Sequence, residues 1–480
     1  MNKRMIAFFV GRVLRIEAFL MILPVAVSLF YREAEWITLA VTAVFSYLFG
    51  LALSFRKPKN MTFYTREGIM SVAFSWIFMS VFGAIPLWHA VDQIGFTDAL
   101  FETISGFTTT GASILTEVES LPKGILFWRS FTHWVGGMGI LVFVVALLPE
   151  AAGDSIYLMR AESPGPSVGK FVPKVKSTAK ILYQIYIAIT LAEIVALMIT
   201  GMSVYDASVI SFGTVGTGGF AVTNDGCMGF SAAQQWVITF FMIACGANFN
   251  VYFLIIARKF RDAFRSEEVI AYLSIYALIT ILVGINVRHS ITGTGDLIRH
   301  SMFNVASVMT TTGFATVDFN LWPTFSKILM LVAMFIGGCA GSTAGGVKVS
   351  RVTIGIKTIH KEMEHFVHPR SVKIIKFEGK PVEHGVLRGI NVYFHTYIAI
   401  FAASILLVAL DGKDFTSTVT AVLATFNNIG PGLEMVGPTG NFSQFSPFAK
   451  YVLMFDMLAG RLELFPMLLL FMPRTWRRQK

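Results

Sequence analysis

Apolar runs of about twenty residues, long enough at ~1.5 Å per residue to cross the hydrocarbon of a bilayer, recur along the whole 480-residue chain. They lie near 5–30, 36–55, 66–90, 128–150, 178–202, 234–258, 268–287, 325–367 (interrupted), 385–410 and 448–472. Hydrocarbon offers no partner for a bare peptide group, so such spans must be helices or a closed barrel. The runs are continuously apolar rather than alternating, which predicts helices. Composition agrees: only 14% of residues are charged, against about a quarter in a soluble domain.

The first thirty residues begin basic and continue apolar. They lack a small-residue cleavage site and are too long for a signal peptide, so they read as a retained first helix. Cys227, Cys245 and Cys339 have neither disulfide-framework nor metal-ligand spacing. The net charge of +10 would suit nucleic acid, but its placement points elsewhere. Basic residues gather between spans: Arg56, Lys57 and Lys59; Lys170, Lys174, Lys176 and Lys180; Arg258, Lys259, Arg261 and Arg265; the segment 348–388; and Arg474, Arg477, Arg478 and Lys480. Segments 203–230 and 315–324 contain no Lys or Arg. Positive loops mark the cytoplasmic side. Counting spans from a cytoplasmic N-terminus puts every basic patch inside and both termini in the cytoplasm. The partner this charge implies is membrane lipid, not nucleic acid.

Four shorter segments lie between the spans: 98–113, 206–220, 296–315 and 414–432. Each opens on an aspartate (Asp98, Asp206, Asp296, Asp414), continues for about three turns, and ends in a Thr/Asn-plus-Gly loop. The terminal glycines align as Gly111, Gly219, Gly313 and Gly430, with Gly218 the competitor for the second. An internal repeat outranks a single motif as evidence of fold. The expected architecture is an all-α membrane protein: four pseudo-symmetric helix–pore loop–helix repeats around one central pore, plus two extra N-terminal transmembrane helices. The expected divisions are 1–60 for the extra helices, then 61–160, 161–266, 267–380 and 381–480 for the repeats.

Non-helical backbone at membrane depth is tolerated only where protein or water covers it. Four glycine loops on one axis would therefore line a pore. Glycine permits the backbone angles that turn carbonyls toward the axis, and carbonyl rings replace the hydration shell of a cation. Each aspartate is expected to cap its short helix, whose C-terminal end then favours a cation at the loop. The rival reading, in which Thr-Gly clusters mark helix packing, accounts for one copy better than for four.

The interrupted span contains Gly337, Gly338, Gly341, Gly345 and Gly346 with Ser342 and Thr343, ending at Lys348. Glycine costs ~1 kcal/mol against alanine in a helix, so the helix should break there and supply a gate. A kink for close packing is the alternative. A phosphate-binding loop is excluded, because Gly346 is followed by Val347-Lys348 and no Gly-Lys-Ser/Thr is present. Arg461, placed mid-span, would either bond carbonyls of the glycine loop, repel a cation, or pair with Asp456 or Glu463. Glu102, Glu193 and His133 read as structural.

TTTGAS (108–113), GTGGF (216–220), TTTGFAT (310–316), NNIGPG (427–432), GGCAGSTAGGVK (337–348) and GRLELF (460–465) resemble the Trk/Ktr/HKT superfamily of potassium transporters over essentially the whole chain. The two extra helices and NNIGPG resemble its Trk-type membrane subunits. The resemblance implies a bacterial inner-membrane protein that takes up potassium, the ion being cargo. It implies a homodimer with one pore per subunit, and a cytoplasmic nucleotide-binding regulatory subunit that forms a TrkA-like ring. The chain itself has no nucleotide-binding segment, and the basic stretch 348–388 is the expected docking surface, with lipid headgroups the rival. The filter carries over to Thr110, Gly111 and Ala112; Gly218 and Gly219; Thr312, Gly313 and Phe314; and Ile429 and Gly430. The gate carries over to Gly337–Lys348 and Arg461. Sodium-preferring members have serine in the first position, so Gly111 favours potassium, while Pro431 makes the ring less symmetric. A secondary transporter coupled to protons or sodium is the alternative. An enzyme is not expected, because no catalytic constellation falls in the spans.

Overall fold

In the computed structural model, residues 2–58, 65–91, 94–139, 175–371 and 373–476 are described. The end of the 128–150 run, Lys59, Lys170, Lys174, Arg477, Arg478 and Lys480 lie outside them. The apolar runs fold as helices. Six of them, among the described residues, are long and apolar enough to cross a bilayer: Lys3–Phe30, Trp36–Ser54, Arg66–Ala90, Ala179–Ile199, Glu267–Val287 and His384–Ala409. The first is built from two helices, Lys3–Leu20 and Ile22–Phe30.

The remaining runs depart from the expectation of continuous spans. The run near 234–258 is bent by 91° between Ala232–Gly246 and Phe249–Ile256. The run near 448–472 stops at Arg461 and resumes as Phe465–Phe471, with Glu463 and Leu464 at positive φ between. Lys123–Gly137 ends at Met138. Only the break after Thr324–Ile336, at Gly337, was anticipated. Close backbone contacts lie at two of these helix ends. A Cβ on Gly136 would collide with the carbonyl of Phe107, and one on Gly460 with the carbonyl of Phe426. Those are the last residues of two of the short helices.

The four short helices are Phe96–Phe107, Val204–Val215, Thr294–Met309 and Phe415–Phe426. Each packs between the long helix before it and the shorter one after it. The contacts then pass around a circle. Lys123–Gly137 packs on the second short helix, Ala232–Gly246 on the third, Thr324–Ile336 on the fourth, and Pro447–Arg461 returns to the first.

The aspartates play a smaller part than expected. Only Asp414 is an N-cap, accepting from the Ser417 amide. Asp98, Asp206 and Asp296 lie inside the first turn, behind Gly95, Ser203 and Gly293. There they still meet the positive end of the helix. Asp98 pairs with Lys450 at 2.6 Å and Asp296 with Arg299 at 2.8 Å.

The extra helices Lys3–Leu20 and Trp36–Ser54 cross where Gly11 and Gly50 face each other, and a Cβ on either would press on the other's carbonyl, at 2.5 and 2.6 Å. Small residues at a crossing permit backbone contact where lipid supplies no hydrophobic drive. Gly50→Leu should separate this pair and lower the Tm of detergent-purified protein by several degrees, as a loss of about 1–3 kcal/mol does. Fluorescence-detected size-exclusion thermal scans measure this, and an unchanged Tm would rule the contact out as a stabilising one.

Candidate functional site: a ring of four loops and a buried glycine-rich segment

All four short helices end in the same way. Thr109, Thr217, Thr311 and Asn428 have φ of 54°, 55°, 57° and 54°. The next amide in each case reaches back five residues: Thr110 to Ser105, Gly218 to Gly213, Thr312 to Ser307 and Ile429 to Ala424, at 2.7–2.9 Å. The amides of Thr109, Thr217, Thr311 and Asn428 reach back three, to Gly106, Thr214, Val308 and Thr425. This is the Schellman arrangement, which uses up carbonyls orphaned at a helix end. Glycine ordinarily occupies its left-handed position. Threonine there is a strained choice, costing of order 1–3 kcal/mol. Hydroxyl bonds bracket two of these threonines, Thr108 to Thr110 and Thr310 to Thr312, each 2.8 Å, and Thr217 itself donates to the Gly216 carbonyl at 2.7 Å.

One residue past each turn the backbone is left-handed again, now at glycine: Gly111 (78°), Gly219 (83°), Gly313 (87°) and Gly430 (96°). Gly218 does not have positive φ, so Gly219 is the equivalent of the other three. Each of these glycines lies against the carbonyl of the neighbouring loop. A Cβ on Gly111 would strike the Gly218 carbonyl; on Gly219, that of Thr312; on Gly313, that of Ile429; and on Gly430, that of Thr110. The four contacts close a ring. Among the described residues, no hydrogen-bond donor reaches the carbonyl oxygens of Thr110, Gly218, Thr312 or Ile429. Thr110, Thr312 and Ile429 are fully buried. Buried carbonyls without donors are costly. Four of them beside the negative ends of four short helices form an environment that a dehydrated cation would satisfy.

The flanking candidates sit behind the ring. Phe314 is buried and packs over Gly213 of the second short helix, Phe220 over Gly106 of the first, and Ala112 is buried as well.

The glycine-rich segment lies on the side where the short helices end. Gly345 donates to the Thr311 hydroxyl at 2.6 Å, and Gly346 to the Asn427 carbonyl at 3.0 Å. Cys339 donates to the Gly246 carbonyl at 2.9 Å, and Thr343 to that of Cys245 at 3.3 Å. Arg461 donates to the Thr343 carbonyl at 2.8 Å and to the carbonyls of Gly136 and Gly137 at 2.6 Å. The segment therefore bonds directly to the turns after the third and fourth short helices and to the helix end at Gly246, and through Arg461 to the helix end at Gly137. Gly337, Gly341, Gly346 and Lys348 hold positive φ, and the Lys348 ammonium turns back onto the Ala344 carbonyl. Gly338 and Ser342 pack inside the fold of the segment. Arg461 ends its helix rather than lying mid-span. Of the two acids considered as its partners, Glu463 pairs with Arg351 and Asp456 accepts from Ser404.

Three participants were not among the expected residues. Glu268, buried, accepts from the Ala340 amide at 2.6 Å and from Asn248 at 3.2 Å. Asn248 caps the helix after the 91° bend. The hairpin Lys376–Phe377 with Lys380–Pro381 presents Glu378, which accepts from Ser266 at 2.8 Å and from the Glu268 amide at 3.1 Å. The motif Gly-Ala-Asn at 246–248 signals the bend; Glu268 left no signal.

Repeated helix–short helix–helix units that bring bare carbonyls together within a membrane define a membrane transport protein for cations. The chain belongs to the TrkH family of cation transport proteins, whose family model matches residues 37–283 and 269–478. The family is one of transporters, not of enzymes. The chain is 36% identical over 486 residues to the Trk system potassium uptake protein TrkH of Escherichia coli K12, covering 99% of this chain and 100% of that one. It is 32% identical over 482 residues to the Trk system potassium uptake protein TrkG of the same strain, covering 99% of each. The crystal structure of the potassium transporter TrkH from Vibrio parahaemolyticus superimposes with a TM-score of 0.89 at 34% identity, covering 99% of this chain and 100% of that one.

Cys339 and Cys245 are buried at the segment. Gly345→Val would drive a Cβ into the Asn427 carbonyl and should dislodge it. In a Cys227→Ser, Cys245→Ser background, Cys339 should then react with a methanethiosulfonate reagent about tenfold faster, the ratio for ~1.4 kcal/mol of lost local stability. Unchanged reactivity would show the segment is not held by that contact.

Proposed function

We propose that this chain takes up potassium through the four-loop ring, which acts as the selectivity filter, and that segment 337–348 is its gate, held closed. The observation that carries the reading is the closed cycle of four glycines and four unpaired carbonyls. The ion contacts would come from the loops at Thr110 and Gly111, Gly218 and Gly219, Thr312 and Gly313, and Ile429 and Gly430, and the repeats would divide the chain at 61–160, 161–266, 267–380 and 381–480. The inside-negative potential supplies ~2.3 kcal/mol per charge per 100 mV for entry.

The gate reading is supported by where the segment sits. Its amides bond to Thr311 and Asn427, at the foot of two of the loops. The protein would lie in the inner membrane with both termini cytoplasmic and act as a homodimer. A cytoplasmic nucleotide-binding ring would dock on the basic stretch 348–388. This arrangement suits the hairpin, since Glu378 caps the helix whose second residue, Glu268, holds Ala340.

In proteoliposomes, rubidium uptake should be blocked by potassium and weakly by sodium. Gly313→Ser or Gly111→Ser should lower the discrimination against sodium at least about tenfold, as loss of one of four ring positions implies. Discrimination unchanged in both would sink the filter. Arg461→Ala frees the Thr343 carbonyl and should raise uptake by the chain alone severalfold. Equal or lower uptake in folded protein would return the segment to a packing role.

A further inference from the structure

Three of the four loops place a side chain one residue before the ring glycine: Thr110, Thr312 and Ile429. The second has Gly218. Its missing volume is not empty. A Cβ on Gly218 would fall within the imidazole of His133, which comes from Lys123–Gly137, the helix following the first short helix.

His133 is fully buried, and both its nitrogens are used. Nδ1 meets the Gly106 carbonyl at 2.7 Å, and Nε2 meets the Phe220 amide at 3.2 Å. A carbonyl requires a donor and an amide an acceptor, so one neutral tautomer satisfies both. The imidazole thus joins the end of the first short helix to the residue after Gly219. It also lies on the Phe220 ring, centroids 4.2 Å apart.

One turn earlier, Arg129 sits over the same Phe220 ring at 3.5 Å and donates to the Ala221 carbonyl at 3.2 Å. It pairs with Glu102 at 2.7 Å, and Glu102 also accepts from the Ile114 amide and the Ser113 hydroxyl, both at 2.9 Å. The first and second loops are therefore joined through a neighbouring helix. At the junction of the fourth and first, a loop side chain does this itself: Asn428 donates to the Thr110 hydroxyl at 3.0 Å.

We propose that His133 is a positioning residue for ion selectivity, standing in for the absent side chain at Gly218 and fixing Gly219 within the ring. The inference rests on the filter reading above. Removing the imidazole leaves the Phe220 amide without its acceptor and frees the loop to shift, and small misplacements at a coordinating site are expensive. A residue that only stabilised the fold would reduce folded protein and flux for all cations alike. His133 would change the ratio between them.

The test measures rubidium uptake in proteoliposomes and takes the ratio of half-inhibiting sodium to half-inhibiting potassium. His133→Ala should lower that ratio about fivefold or more. His133→Gln, which keeps one donor and one acceptor, should lower it less. His133→Ala combined with Gly218→Thr, which restores a side chain to the loop, should recover at least half of the loss on a logarithmic scale. Should His133→Ala fail to give monodisperse protein, His133→Gln decides alone. A wild-type ratio in the His133 variants, beside a lowered ratio in Gly313→Ser, overturns the inference and leaves the filter reading standing. A wild-type ratio in Gly313→Ser and Gly111→Ser as well overturns the filter reading, and this inference with it.

Discussion

The left-handed turn that ends each short helix is the constraint on which the rest of the molecule depends. It halts each short helix without leaving its last carbonyls bare, because the amides of the turn reach back to them. It also reverses the chain so that the next peptide groups are the ones left without donors. A helix that ran on would carry those carbonyls into its own hydrogen bonds. A loop without the back-reaching amides would bury too many unpaired groups to be stable. The turn thus leaves the carbonyls of Thr110, Gly218, Thr312 and Ile429 free of donors, each against the ring glycine of a neighbouring loop.

The same geometry explains the broken helices around it. To bring four loops onto one axis, the helices that follow must pass close behind the short-helix ends. Gly136 and Gly460 touch the carbonyls of Phe107 and Phe426 directly. These helices end there, and the carbonyls at their ends need donors. Arg461 supplies them at Gly136 and Gly137, and the Cys339 amide supplies one at Gly246. The glycine-rich segment is held by what the broken helices leave unsatisfied. Its position is therefore tied to groups in several units at once.

The spans, the four short helices and the break at Gly337 were legible because they are written in local composition: apolar length, an opening Asp with a closing Thr/Asn-plus-Gly loop, and glycine density. The alignment of Gly219 rather than Gly218 with the other three agrees with the backbone angles. What was not legible depends on partners distant in sequence. The aspartates looked like caps because position alone does not separate a cap from a first-turn residue. Ser203 and the glycines before the other two decide it. Three helices read as continuous because their apolar content continues through the break. Thr109, Thr217 and Thr311 would not be assigned left-handed backbone by propensity. Glu268 follows Glu267 in the first turn of its helix and His133 lies among apolar residues with Arg129, Ser130 and Thr132, and nothing local distinguishes a strut from a satisfied core residue.

Pseudo-symmetry in one chain differs from true fourfold symmetry in a way that bears on chemistry. Four identical subunits must solve each junction identically. Here the junctions differ: an imidazole and an ion pair between the first and second loops, a backbone bond from Cys227 to Ala315 between the second and third units, and an asparagine between the fourth and first. The residue after the ring glycine also varies, as alanine, two phenylalanines and proline. Coordination by carbonyls requires only that the four backbones superimpose, and their turn angles agree within a few degrees. The side chains behind them are then free to specialise. The third unit can carry a glycine-rich break and the first can carry struts, because the ring depends on backbone geometry that each quarter reaches by a different route.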